Sequence, residues 1–224
     1  MTDPAPLSPK AEQTRQAIVD AAMRLFRSGG YEKTTMRAIA GEAGVSLGNA
    51  YYYFASKEHL IQAYYDRMQE SHTEAVAAVL AAEPGFAPRL RKVLLAWVDV
   101  AAPYHEFAGK FFKNAAEPTS PLSPFSPESK AAREAAIDLF RQTVDGSDVK
   151  VTKALRTDLP ELLWLLQMGV VLFWVYDASP DQARTRALIE KAVPLVDRLI
   201  RMTRLPVVRG VVDDLVELVH AVRS

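Results

Sequence analysis

The chain contains no cysteine, which excludes disulfides and thiolate metal sites. Charge of one sign is also missing: 27 Lys and Arg balance 27 Asp and Glu over 224 residues. The balance holds locally. Residues 1–70 carry eight basic side chains (Lys10, Arg15, Arg24, Arg27, Lys33, Arg37, Lys57, Arg67) against eight acidic ones. The usual electrostatic footprint of a nucleic-acid binder is therefore absent in the sum. Any such binding would rest on local placement, with few phosphate contacts and a modest salt dependence. The first residues, MTDPAPLSPK, hold no apolar run, so no signal peptide is expected and a cytoplasmic location is the default. Strand-like alternation of useful length is absent. So are GxSxG, HExxH, Walker A and dinucleotide motifs. His59, His72, His105 and His220 are scattered without ligand spacing. No catalytic residue, metal or cofactor is expected.

What remains is a helical chain in which 49% of residues are apolar, ordinary for a globular protein. Its most informative stretch is Thr34–Leu60, TTMRAIAGEAGVSLGNAYYYFASKEHL. Thr34 or Thr35 can cap a helix, because a hydroxyl accepts a bond from a first-turn N–H. Met36, Ile39, Ala40 and Ala43 recur at helical spacing and form one buried face. Gly44 then permits the left-handed backbone that ends a helix. Val45 plugs the junction, and Ser46 can cap the next helix. Two helices around such a turn make a helix-turn-helix, here 35–54. The second helix, about Ser46 to Tyr53, presents its N-terminal residues as a recognition helix does in the major groove. Gly48 lets the backbone approach DNA. Asn49 suits a bidentate contact to adenine, and Leu47 a thymine methyl. Tyr51 and Tyr53 offer hydroxyls to phosphates. Lys57 stands in the first turn of the following helix, behind Ser56, where its charge and the helix N-terminus both favour a phosphate. Tyr52 and Phe54 are expected in the core. The same helix pair also occurs in proteins that never meet DNA, so the bare motif leaves both readings open.

Over roughly Glu12–His72 the chain resembles the N-terminal domain of TetR-family transcriptional regulators. LFRSGGYEKTTMRAIA, AGVSLGNAYYYF and SKEHL, in that order, carry the likeness. It implies an all-α fold: an N-terminal three-helix helix-turn-helix DNA-binding domain (11–72) after a flexible segment (1–10). A larger C-terminal helical bundle (73–224) would serve ligand binding and dimerisation. Carried over by position, Thr35, Arg37, Ser46, Leu47, Gly48, Asn49, Tyr51, Tyr53 and Lys57 would face double-stranded operator DNA. Two positions depart from the family pattern. Ala50 replaces a larger aliphatic residue, and Tyr53 stands where histidine is common.

Downstream, proline and glycine punctuate the helices. Ser8-Pro9 can open the first helix and Gly29-Gly30 end it. A long helix runs from Lys57 to about Ala82, and others cover about Pro88–Ala101, Tyr104–Ala116 and Pro127–Val144. Between the last two lies EPTSPLSPFSPES, whose four prolines bar a helix interior; it reads as a surface loop or as a lid over a ligand entrance. Leu159–Tyr176, LPELLWLLQMGVVLFWVY, is apolar all round and is expected to be a buried helix. Gln167, Gly169 and its short length argue against a membrane span. Ser179-Pro180-Asp181-Gln182 reads as a capping box opening a helix to about Thr203, and a last amphipathic helix covers Val207–Val222.

A helix apolar on every side needs several partners. By resemblance, the helices Leu162–Tyr176 and Pro180–Thr203 would pair with their mates in a homodimer, which would read a near-palindrome. The larger domain would hold a pocket for a small apolar or aromatic effector. Candidate lining residues are Trp97, Tyr104, Phe107, Phe111, Phe112, Trp164, Gln167, Met168 and Trp174. Gln167 is the most suggestive, being polar within a buried helix. The alternative is a helical ligand-binding or protein-interaction module with a non-functional helix-turn-helix.

Overall fold

The computed structural model describes residues 8–117, 120 and 122–203, without the side chains of residues 107, 110, 111, 113 and 114. The Phe107 and Phe111 side chains and the helix expected over 207–222 thus lie outside the described residues. Every regular element described is helical: α1 (Pro9–Gly29), α2 (Met36–Glu42), α3 (Leu47–Tyr53), α4 (Lys57–Ala82), α5 (Phe86–Ala101), α6 (His105–Ala115), α7 (Lys130–Asp145), α8 (Lys153–Val175) and α9 (Ala183–Met202). The chain divides into two compact units. One takes Met1–Arg67 with Pro103–Lys130; the other takes Met68–Ala102 with Ala131–Ser224.

In the first unit, side-chain caps set the helix boundaries. Ser8 accepts from Ala11 N and Pro9 opens α1, so helix begins inside the segment expected to be flexible. Gly30, at φ 84°, ends α1 with its N–H on Phe26 O. Of the two candidate caps, Thr35 serves α2, accepting from Ala38 N at 3.2 Å. Thr34 is buried and donates to Gly30 O at 2.8 Å. Gly44 turns the chain at φ 69°, and Val45 N returns to Ala40 O at 3.0 Å. Ser46 caps α3 through Asn49 N at 3.1 Å. Ala50 is fully buried, so the small residue fits the α3 seat, and Phe54 joins it in the core.

Tyr52 is not in the core: it is 77% exposed. Two residues past Ala50 on a helix is a rotation of about 200°, the far face.

The segment before α7 also differs from expectation. Serines 120, 123, 126 and 129 recur every third residue, and Ser120, Ser123 and Ser126 each precede a proline. Ser123 N donates to Ser120 O and Ser126 N to Ser123 O, at 3.1 and 3.0 Å. Leu122 N and Phe125 N donate to the hydroxyls of Ser120 and Ser123. Leu122, Ser123, Ser126 and Ser129 are buried, and Gln62 donates to Ser129 Oγ at 3.1 Å. The segment is a ladder of turns folded into the unit rather than a solvated loop, and α7 starts only at Lys130.

In the second unit, α9 packs on α5 and α8. Leu90, Val93, Leu94 and Val98 of α5 are buried. The buried Arg89 guanidinium donates to Glu83 O at 2.6 Å and Gln142 O at 2.7 Å. It thereby adds donors to carbonyls at the ends of α4 and α7, Gln142 O accepting from Gly146 N as well. Gly146 makes room for it, since a Cβ there would stand 2.3 Å from Arg89 Nη2. His72 is buried, its Nε2 donating to Val93 O at 2.8 Å and its Nδ1 without a partner.

α8 and α9 correct two expectations. α8 begins at Lys153, capped by Thr152, and carries Pro160 inside it. It is not buried all round, for Leu165, Leu172, Phe173 and Tyr176 are exposed. By length and composition α8 could cross a membrane, yet its other face buries Asp158 and Gln167 beside Leu163 and Trp174. The capping box at Ser179–Gln182 does not form. Asp181 and Gln182 take left-handed backbones, at φ 51° and 50°. Asp177 and Ser179 share the capping: Asp177 accepts from Ser179 N and Oγ and from Thr185 N and Oγ1, at 2.6–3.0 Å, and Ser179 Oγ accepts from Arg184 N at 3.1 Å. Burial raises the Asp177 pKa, but these four bonds outweigh it and hold the carboxyl below its ordinary range.

Candidate nucleic-acid interface

The α2–α3 surface brings together the residues expected to meet DNA. Thr35, Arg37, Ser46, Gly48, Asn49 and Tyr51 are exposed, while Leu47, Tyr53 and Lys57 are half-buried. The Thr35 and Ser46 hydroxyl oxygens accept from helix N–H groups, and each O–H proton remains for an outside acceptor. Gly48 has an ordinary negative φ and open space where a Cβ would be. Nothing in the fold of the described residues demands glycine there. An approaching partner would supply the missing reason.

Pairing explains how residues 1–70, neutral in sum, keep free cations. Arg24 pairs with Glu42, Arg67 with Asp20, and Arg15 with Glu12. Lys33 and Arg37 are exposed, and no carboxylate among the described residues pairs with either. Local placement thus leaves positive charge beside α2 despite the neutral sum.

Lys57 opens α4 but bends back onto the protein. Its Nζ donates to Tyr31 O at 2.9 Å and lies 4.3 Å from the centre of the Tyr31 ring. The Tyr31 hydroxyl donates to Glu58 Oε1 at 2.6 Å. Burial and this bond push the Tyr31 pKa up. Burial raises the Glu58 pKa too, but bonds from Ser56 and Tyr31 outweigh it and keep the carboxylate charged. Tyr31 was not among the residues expected to matter, and neither was the exposed Tyr52, whose ring stands edge-on to Tyr53 at 5.1 Å. A period count from Ala50 would have placed Tyr52 outward.

One family description, "Bacterial regulatory proteins, tetR family", matches residues 18–64. A second, "Tetracyclin repressor-like, C-terminal domain", matches residues 89–219, more than half of the chain. The chain belongs to the TetR family of transcriptional regulators. Its similarity to two curated regulators covers a third of the chain or less. TtgR of Pseudomonas putida is 39% identical over 69 residues, 31% of this chain and 33% of that protein. The repressor KstR of Mycobacterium tuberculosis is 47% identical over 49 residues, 22% of each chain. The chain thus spans about a third or less of these relatives in alignment. The TetR fold extends further. A Nitrosomonas europaea regulator superposes at TM-score 0.63 with 20% identity, over 82% of this chain and 97% of that one. Thermus thermophilus FadR, described as a repressor in complex with lauroyl-CoA, superposes at 0.60 with 24% identity, over 80% and 92%.

The residues expected to line a TetR effector pocket belong to both units. Trp164, Gln167 and Trp174 share the buried face of α8, with Met168 half-buried beside them. Trp97 meets Trp174 edge-on at 5.2 Å. Gln167 Oε1 is buried and accepts no hydrogen bond among the described residues. Tyr104 lies in the first unit, against Tyr64 at 4.7 Å. An open groove of about 570 Å³ does exist between α5 and α9, lined by Ala87, Pro88, Arg91, Pro194, Asp197, Arg198, Arg201 and Met202. None of the expected residues lines it.

Proposed function

We propose that this chain is a ligand-responsive, sequence-specific DNA-binding regulator, a repressor that leaves a palindromic operator when it binds a small hydrophobic effector. The α2–α3 surface carries this reading: an open glycine, Asn49, Tyr51, the hydroxyl caps Thr35 and Ser46 and unpaired Arg37 are all exposed there. Residues 11–72 form the DNA-binding domain in this proposal, and 73–224 the ligand-binding and dimerisation domain. The protein works in the cytoplasm, without a membrane, as a homodimer. The exposed row Leu188, Leu195, Leu199 and Met202 on α9, with Leu165, Leu172 and Phe173 on α8 and Tyr176 just beyond it, supports a second copy as the partner. Contiguous apolar rows of this kind mark interfaces. The effector would satisfy the buried Gln167 acceptor beside the Trp97–Trp174 pair. Binding shifts the population toward dimers whose recognition helices no longer match the half-sites.

Selection of duplexes from a random pool by the purified protein, at near-physiological salt, tests the proposal. The expected product is a near-palindrome with half-sites spaced by about one helical turn, roughly 34–36 Å, or a multiple. No enrichment by a folded dimer would instead favour an interaction module with a non-functional helix-turn-helix.

A further inference from the structure

The Lys57 ammonium has three donors, and Tyr31 O takes one of them. No carboxylate among the described residues forms a close ion pair with Lys57; its neighbour Glu58 feels the ammonium charge only at longer range. The reason is visible in the contacts. Glu58 Oε1 is engaged by the Tyr31 hydroxyl, and Ser56 also bonds this carboxylate. Tyr31 is itself anchored, its ring lying 5.1 Å from that of the fully buried Phe26. One residue of the α1–α2 turn therefore touches both charges at the start of α4.

We infer that Tyr31 is the positioning residue of a phosphate contact made by Lys57. Its carbonyl and ring hold the ammonium, and its hydroxyl keeps the Glu58 carboxylate from neutralising it. Lys57 then meets DNA as a preformed charge with two donors left. A flexible lysine otherwise loses side-chain freedom on binding. The inference rests on the DNA-binding reading above, and the two fail differently.

The test uses the selected duplex and titrates wild type, Tyr31→Phe, Tyr31→Phe/Glu58→Gln and Lys57→Ala over a range of salt, with thermal melts to confirm folding. Tyr31→Phe keeps the ring and the carbonyl and removes only the hydroxyl. The freed Glu58 pairs with Lys57, so affinity falls about two- to fivefold, the worth of an exposed ion pair. The slope of log K against log salt becomes shallower by up to about 0.9, one phosphate contact. Glu58→Gln in the same background restores both, which a purely structural role of Tyr31 does not predict. Lys57→Ala shows the same shallower slope, and adding Tyr31→Phe to it changes nothing further. Wild-type affinity and slope in Tyr31→Phe, or a loss that Glu58→Gln does not rescue, overturns the inference. Absence of binding by wild type overturns the DNA-binding reading itself.

Discussion

Two helix pairs in this molecule solve the same problem differently. α2 and α3 are seven residues each and turn at Gly44; α8 and α9 have 23 and 20 residues and turn at Asp177–Gln182. The short pair cannot stabilise itself by length, since helices under about 12 residues are marginal alone. It relies on hydroxyl caps and on α1, and leaves outward a face of small and polar groups. The long pair is turned by one buried carboxylate holding Ser179 and Thr185. It leaves outward two rows of leucines and aromatics. The first face suits a wet, charged partner, and the second a dry one. The lesson is that the contrast lies in what each pair leaves uncovered rather than in how each pair is folded.

The contrast breaks hardest at the long pair. Leu195→Glu with Leu199→Glu should shift dimer dissociation at least about a hundredfold. Each leucine buried is worth about 1.5–3 kcal/mol, and a twofold interface counts every change twice. Sedimentation would then find monomer at micromolar concentration. An unchanged dimer would move the interface elsewhere.

Gly146→Ala tests support rather than surface. Its Cβ would displace the Arg89 guanidinium from two carbonyls. A loss of about 2–4 kcal/mol in urea unfolding is expected, from a buried charged group deprived of its partners. Stability within 0.5 kcal/mol of wild type, roughly the noise of a surface change, would mean that Arg89 relaxes freely.

Gly48→Ala sharpens the comparison from the other side. A Cβ there meets nothing, so the folded protein should keep or gain stability, by up to about 1 kcal/mol. Operator affinity should nevertheless fall about tenfold or more, because the added methyl occupies the space the backbone needs against DNA. Unchanged affinity would remove α3 from the groove.

The smallest effect is acid sensitivity. Burial lowers the His72 pKa, and the Val93 carbonyl only partly offsets this. Above the unfolded value of about 6.5 neither state binds the proton. Below it the unfolded chain takes up a proton that the buried ring resists, so stability falls as pH drops. His72→Phe should flatten that fall as pH drops below about 6.5, seen in urea midpoints. An unaltered slope would assign it to other groups.

What could be read in advance follows the range of the interactions. Thr35, Gly44 and Ser46 act on neighbours within four residues, and their spacing alone locates α2 and α3. Tyr52 was misplaced because three tyrosines in a row hide the period that Ala50 reveals. The face of α8 was misjudged because apolar residues on all sides do not say which side a neighbour covers. Asp177, Arg89 and Tyr31 were overlooked for another reason. Asp177 and Tyr31 work across turns and Arg89 reaches Gln142, 53 residues away in the chain, and no short pattern marks such partners. Aromatic content is a property of composition and a pocket is a property of packing, so candidate effector residues can be named in advance but not their grouping.

The serine ladder before α7 has a consequence for how this segment can vary in length. Its sequence repeat and its turn repeat coincide at three residues. Adding or removing one Ser-Pro-X triplet would keep the remaining hydroxyl-to-backbone bonds in register. Adding one or two residues would put a proline, which has no N–H to give, where a donor is required. Length variation here should therefore come in whole triplets, making the segment a spacer adjustable in fixed steps.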